Sequence, residues 1–223
     1  MTISRRVAIG ALAPAACLSP WPLSAFTAER AGPLSAEDKA DVDRVVAYLQ
    51  SLTSVRGRFV QTDARGGQAT GTFSLQRPGM ARFDYDPPAG LTIVADGHEV
   101  SEIDRRLKTR HVYPLGWTPL ALFLSQDIRL DRRIKVARVL RGAGTLRVVA
   151  QDGAARAQGA IALDFTDPPL TLAGWALLDS RGGAVTVRLE SFAAVEPRDP
   201  SYFKLTDPRR APAVATSPAA AAP

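Results

Sequence analysis

Two hydrophobic periods divide the chain. Between residues 42 and 52 the apolar positions Val42, Val45, Val46, Leu49 and Leu52 recur every three or four residues. That spacing predicts an amphipathic helix with one core-facing stripe. Ser35 followed three residues later by Asp38 is a capping box that sets its start. Asp41, Asp43, Arg44 and Gln50 are expected on the opposite, solvated side.

From residue 57 onward the period falls to two. Phe73 and Leu75 alternate with Thr72, Ser74 and Gln76; Ile161, Leu163 and Phe165 share one face, as do Val185, Val187 and Leu189. Pro78-Gly79, Asp96-Gly97, Gly142-Ala143-Gly144, Asp152-Gly153, Asp167-Pro168-Pro169 and Gly182-Gly183 punctuate the runs. The pattern reads as about ten short strands in sequence. Hairpin-length connections leave no room for crossover helices, so the strands are antiparallel neighbours. One segment breaks the rhythm. In "GWTPLALFLSQD", residues 116–127, Thr118 is a candidate N-cap and Pro119 a first helical residue, and Leu120, Leu122, Phe123 and Leu124 make the short helix apolar nearly all round. Such a helix must be covered or must cover something.

This many strands with one buried face must curl. The fold class is mainly β with helices (α+β). A curled sheet with one helix before the strands and one in the middle suggests a half-open barrel stopped by helices. A barrel of more than about eight strands has internal space, which the helices either fill or close over.

The ends of the chain add a compartment. Residues 1–28 carry Arg5 and Arg6, then a small and apolar run, the form of a cleaved export signal too short for a membrane span. Ser4-Arg5-Arg6 leaves the twin-arginine and general secretory routes both open. Cys17, the only cysteine, leaves with the signal, so the mature chain has no disulfide or thiol chemistry. Residues 29–208 suit one domain, and 209–223 form a Pro/Ala tail read as disordered. Loss of Arg5 and Arg6 lowers the formal +6 charge by two. The remaining mild basic bias fits weak attraction to an anionic membrane or acidic partner, and excludes a dense nucleic-acid-binding patch.

Enzymatic chemistry finds little purchase. His98 and His111, the two histidines, lack metal-site spacing and have no serine elbow beside them. Asp84 and Asp86 flank a Pro87-Pro88 break and read as turn-formers. No catalytic residue, metal site or cofactor is expected.

The ordered set "YLQSLTSVRGRFVQT", a strand running into Arg77-Pro78, "RFDYDPP", "LTIVADGHEV" and "TPLALFLSQD" resembles the periplasmic outer-membrane lipoprotein carrier family, the LolA-like proteins, over roughly residues 38 to 205. The resemblance implies an incomplete antiparallel barrel of about 10–11 strands closed by a helical lid. It implies a periplasmic, monomeric carrier that shelters the acyl chains of lipoproteins. Cargo would come from an ATP-driven inner-membrane release complex (LolCDE-like) and pass to an outer-membrane acceptor (LolB-like) where one exists. A different lipid cargo, such as a glycolipid, sterol-like lipid or fatty acid, is the alternative. Arg77 matches the family's arginine before a proline at a strand end, which bonds to the lid and favours the closed, empty form. Val45, Val46, Leu49, Phe59, Phe73, Leu75, Phe83 and Tyr85, with Leu120 and Phe123 on the lid, are the expected cavity lining. The strand face that turns inward is left open, because a slip of one residue exchanges the two.

Overall fold

The computed structural model describes residues 33–118, 121, 124–126, 128, 134–152, 159–179 and 184–205. The proposed signal, the Pro/Ala tail, Leu120 and Phe123 lie outside the described residues.

The chain opens on α1, Ala36–Ser51. Its capping box forms as the sequence predicts: Asp38 N–H donates to Ser35 Oγ at 3.0 Å and Ser35 N–H to Asp38 Oδ2 at 3.1 Å. Val42, Val45 and Leu49 are buried, with Val46 and Leu52 half-buried beside them. One expectation fails. Asp41 is not on a solvated side but buried, held by Arg44 Nη1 at 2.8 Å and Arg141 Nη2 at 2.6 Å. A carboxylate can be buried because these two guanidinium groups replace its water. The same contacts fasten α1 to the sheet.

Eleven strands follow: β1 (Ser54–Thr62), β2 (Gln68–Gln76), β3 (Met80–Tyr85), β4 (Leu91–Asp96), β5 (Glu99–Asp104), β6 (Thr109–Pro114), β7 (Ile134–Gly142), β8 (Thr145–Asp152), β9 (Gly159–Thr166), β10 (Thr171–Asp179) and β11 (Ala184–Ala194). They make one antiparallel sheet in the order β6-β5-β4-β3-β2-β1-β11-β10-β9-β8-β7. The order is two hairpin meanders joined where the first strand pairs the last. The outer strands β6 and β7 do not pair, so the sheet stays unclosed. Residues 115–133 link those two edges. β6 is a strand the hydrophobic pattern did not reveal.

Three register shifts bend the second meander: between Arg58 and Phe59 opposite β11, between Leu172 and Gly174 on β10, and between Val136 and Arg138 on β7. Each inserts an extra residue and sharpens the local bend. A second small core sits on the convex side. There a single-turn 3-10 helix, Pro200–Phe203, buries Phe203 to 1% exposure. Gln76 grips the backbone leading to it, accepting from Arg198 N–H at 2.6 Å and donating to Arg198 O at 3.1 Å.

Candidate functional site

The strand registers settle the inward face. Val55, Gly57 and Phe59 of β1 stand opposite Leu75, Phe73 and Gly71 of β2, which stand opposite Ala81, Phe83 and Tyr85 of β3. These positions lie on the concave side with α1, in one apolar cluster that includes Val45, Leu49, Phe59, Phe73 and Phe83, against which Val46, Leu75 and Tyr85 pack. The eight expected lining residues that are described are thus brought together. Phe59 meets the rings of Phe83 and Tyr85 edge-on, with centroids 5.8 and 5.1 Å apart.

Two further aromatic residues, Phe192 and Trp175, join them. Phe73 stacks on Phe192 at 6.3 Å, and Phe83 meets Trp175 edge-on at 6.3 Å. These contacts bridge the two meanders. The bulges explain why the pattern hid them. Leu189 and Phe192 are three apart, as are Leu172 and Trp175. A strict period of two puts each pair on opposite faces, and the extra residue restores both members to the same one.

The apolar row Phe73, Phe83, Ile93 ends in Glu102 and His111 at the β6 edge. Tyr85 of β3 donates its hydroxyl to Gln61 Oε1 of β1 at 2.7 Å. Burial, and secondarily the negative charge of Glu102, push the Tyr85 phenol up to about 12.

At the other end lies the β2–β3 turn with Arg77. Its backbone N–H donates to Thr53 O at 2.8 Å. Gly79, at φ +77, donates its N–H to Leu124 O at 2.8 Å, which ties the turn to the segment joining the open edges. The Arg77 guanidinium is half-buried. Its Nη1 is buried and finds no acceptor among the described residues. Burial alone lowers its pKa to about 10, so it remains a cation at neutral pH. Among the described residues, the turn meets the linking segment through the Gly79 backbone, and Arg77 Nη1 beside it has no acceptor.

Residues 50–206 match the family described as "Outer membrane lipoprotein carrier protein LolA". The chain belongs to the LolA family. Two relatives named "Outer-membrane lipoprotein carrier protein" bear this out in part. The one from Methylobacillus flagellatus is 34% identical over 113 residues, 46% of this chain and 54% of its own. The one from Leptothrix cholodnii is 38% identical over 93 residues, 38% of this chain and 44% of its own. The chain spans about half the length of the curated relatives it matches. Among solved structures, a LolA superfamily protein from Nitrosomonas europaea aligns with 73% of this chain and 97% of its own at TM-score 0.42 and 6% identity.

In this LolA-family chain the other candidate residues have plain structural partners. Arg82 chelates Asp84 through Nε at 2.7 Å and Nη2 at 3.0 Å. Asp86 takes Thr70 Oγ1 at 2.6 Å and Arg58 Nη2 at 2.5 Å. His98 donates its backbone N–H to Asp96 Oδ1 at 2.9 Å in the β4–β5 turn, and His111 stacks on Tyr113 at 6.4 Å. Thr118, the foreseen cap, has extended backbone at φ −110 and ψ 149. Its hydroxyl donates back to Leu115 O at 2.8 Å, closing the single-turn 3-10 helix Leu115–Trp117. Its carbonyl accepts from Ala121 N–H at 3.1 Å, and Ser125 N–H reaches Ala121 O at 3.0 Å, an α-helical bond.

Proposed function

We propose that this chain is a non-catalytic periplasmic carrier whose concave face covers the acyl chains of lipoproteins between the inner and outer membranes. The observation that carries this reading is the buried apolar cluster that α1 and strands β1, β2, β3, β10 and β11 form on one face of an unclosed sheet, with Arg77 at its rim. Each CH₂ of an acyl chain exposed to water costs about 0.8 kcal/mol, so a single long chain risks on the order of 10 kcal/mol. A soluble courier must cover that surface. A bilayer covers it equally well, so a carrier that holds its load too tightly never releases it.

Arg77 supplies the needed imperfection. A buried guanidinium nitrogen without an acceptor is costly. It weakens the hold on apolar cargo and favours whichever arrangement gives it a carbonyl. Release from an ATP-driven complex and delivery to an outer-membrane acceptor complete the route in this reading. Family membership and the relatives' names support a lipoprotein cargo over a free lipid.

Mass spectrometry of the ligand co-purified from the periplasmic fraction tests the cargo. An acylated cysteine peptide is expected, and a free lipid in its place would sink the reading. Arg77→Leu is expected to load normally but hand over slowly, as followed by transfer of a labelled lipoprotein to outer-membrane vesicles. An unaltered transfer rate would remove Arg77 from the release step.

A further inference from the structure

Among the described residues, the large hydrophobic side chains most open to water are Leu107, Val112, Tyr113 and Trp117, exposed by 61%, 45%, 43% and 67%. All four fall on the β5–β6 hairpin and the turn that follows it. β6 is an outer strand of the sheet and borders its unpaired side. Scattered exposed hydrophobics need no explanation, but a set confined to one hairpin does.

The hairpin tip is built to hold Leu107 outward. Asp104 Oδ1 accepts from the backbone N–H groups of Arg106 and Leu107, both at 2.8 Å. Arg105 N–H donates to Gly90 O at 3.0 Å, and Lys108 takes a left-handed φ of 54°. The turn is thus fixed while its side chains are not covered. The β5–β6 hairpin carries Arg105, Arg106, Lys108 and Arg110 against Glu99, Glu102 and Asp104, and three of the four cations sit together at its tip, where Asp104 is the nearest carboxylate in sequence. Arg110 lies 3.7 Å from Glu99 and 3.2 Å from Ser101 Oγ. Arg105, Arg106 and Lys108 are exposed around Leu107.

We propose that this hairpin is a docking edge for an anionic bilayer surface. Leu107 and Trp117 enter the headgroup boundary, and Arg105, Arg106 and Lys108 lie on lipid phosphates. Interfacial aromatic and aliphatic side chains combined with several cations are the chemistry that such a surface selects. Docking by this edge brings the gap between β6 and β7 to the lipid–water boundary, where an acyl chain can cross with little exposure. That purpose rests on the carrier reading, but the docking itself does not.

The test uses protein purified from the periplasmic fraction, without added cargo, sedimented with phosphatidylethanolamine vesicles that contain or lack phosphatidylglycerol. Binding is expected to the anionic vesicles and to fall as salt rises. Leu107→Asp, and separately the double change Arg105→Glu with Arg106→Glu, are each expected to weaken it about tenfold or more, with melting temperatures unchanged. Trp117 emission should shift to the blue on binding, and Trp117→Phe should abolish the shift. Absent binding, binding indifferent to phosphatidylglycerol and to both variants, or a wild-type dimer that Leu107→Asp dissolves would each overturn the proposal. Failure here leaves the co-purified ligand to decide the carrier reading on its own.

Discussion

Gly57 and Gly71 set how closely the phenylalanines of the concave face can nest. Each stands across the β1–β2 ladder from a ring, Gly57 from Phe73 and Gly71 from Phe59. A Cβ on Gly57 would sit 1.9 Å from Ser191 O, and one on Gly71 2.4 Å from Asp84 O. Those neighbours are backbone and cannot step aside. Gly57→Ala is therefore expected to cost roughly 2–3 kcal/mol, read as a lower urea midpoint. The sequence pointed to Phe59 and Phe73 by alternation alone, but not to the glycines that seat them, because nothing local marks a glycine as the floor beneath a ring on the next strand. Charge acts at this scale too. Asp38 lies below its ordinary value of 3.8, held there by the Ser35 hydroxyl, then the Ser35 N–H and Arg141. A carboxyl depressed in the folded state contributes stability at pH above its unfolded value and loses it as pH falls through the folded one. The first turn of α1 is expected to loosen in acid below about pH 4, seen as faster amide exchange there, and Asp38→Asn should remove most of that pH dependence.

The elements differ in how openly they announce themselves. α1 and ten of the strands were legible because apolar residues recur along them at a helix or strand period, even in β8, where Leu146 to Ala150 are buried on both faces. β6 was not. Its residues 111–114 are all exposed, and Thr109 and Arg110 are only half-buried, so no alternation of burial exists to be read. It is a strand because β5 pairs with it. The bulged strands β10 and β11 were found, but their inward residues were only half assigned. The C-terminal turn shows the converse case. Phe203 carries no periodic signal, yet it is sealed on the convex side, where Arg82 Nη1 donates to Tyr202 O at 3.2 Å and the Arg198 guanidinium lies 4.4 Å over the Tyr202 ring. Phe203→Ala is expected to cost about 3–5 kcal/mol in chemical denaturation, as large a loss as a central core truncation.

Across the whole molecule, the two meanders meet at one seam and part at one gap. The Gly79 N–H to Leu124 O bond joins the β2–β3 turn to the chain that spans that gap. If loading lifts the spanning segment, the Gly79 amide should exchange with solvent faster in the loaded protein than in the empty one. Equal protection in both would mean the segment stays put and cargo enters elsewhere. The pairing of β1 with β11 was the part of the architecture least visible in the sequence. It joins residues such as Val55 and Ala194, whose partnership no turn or spacing encodes.

That seam has a practical outcome. Since the first and last strands zip together and β6 and β7 do not pair, a break between β6 and β7 leaves each meander and the seam whole. A protease cut among residues 119–133 should yield two pieces that stay associated through the β1–β11 ladder, and two such fragments expressed separately should find each other again.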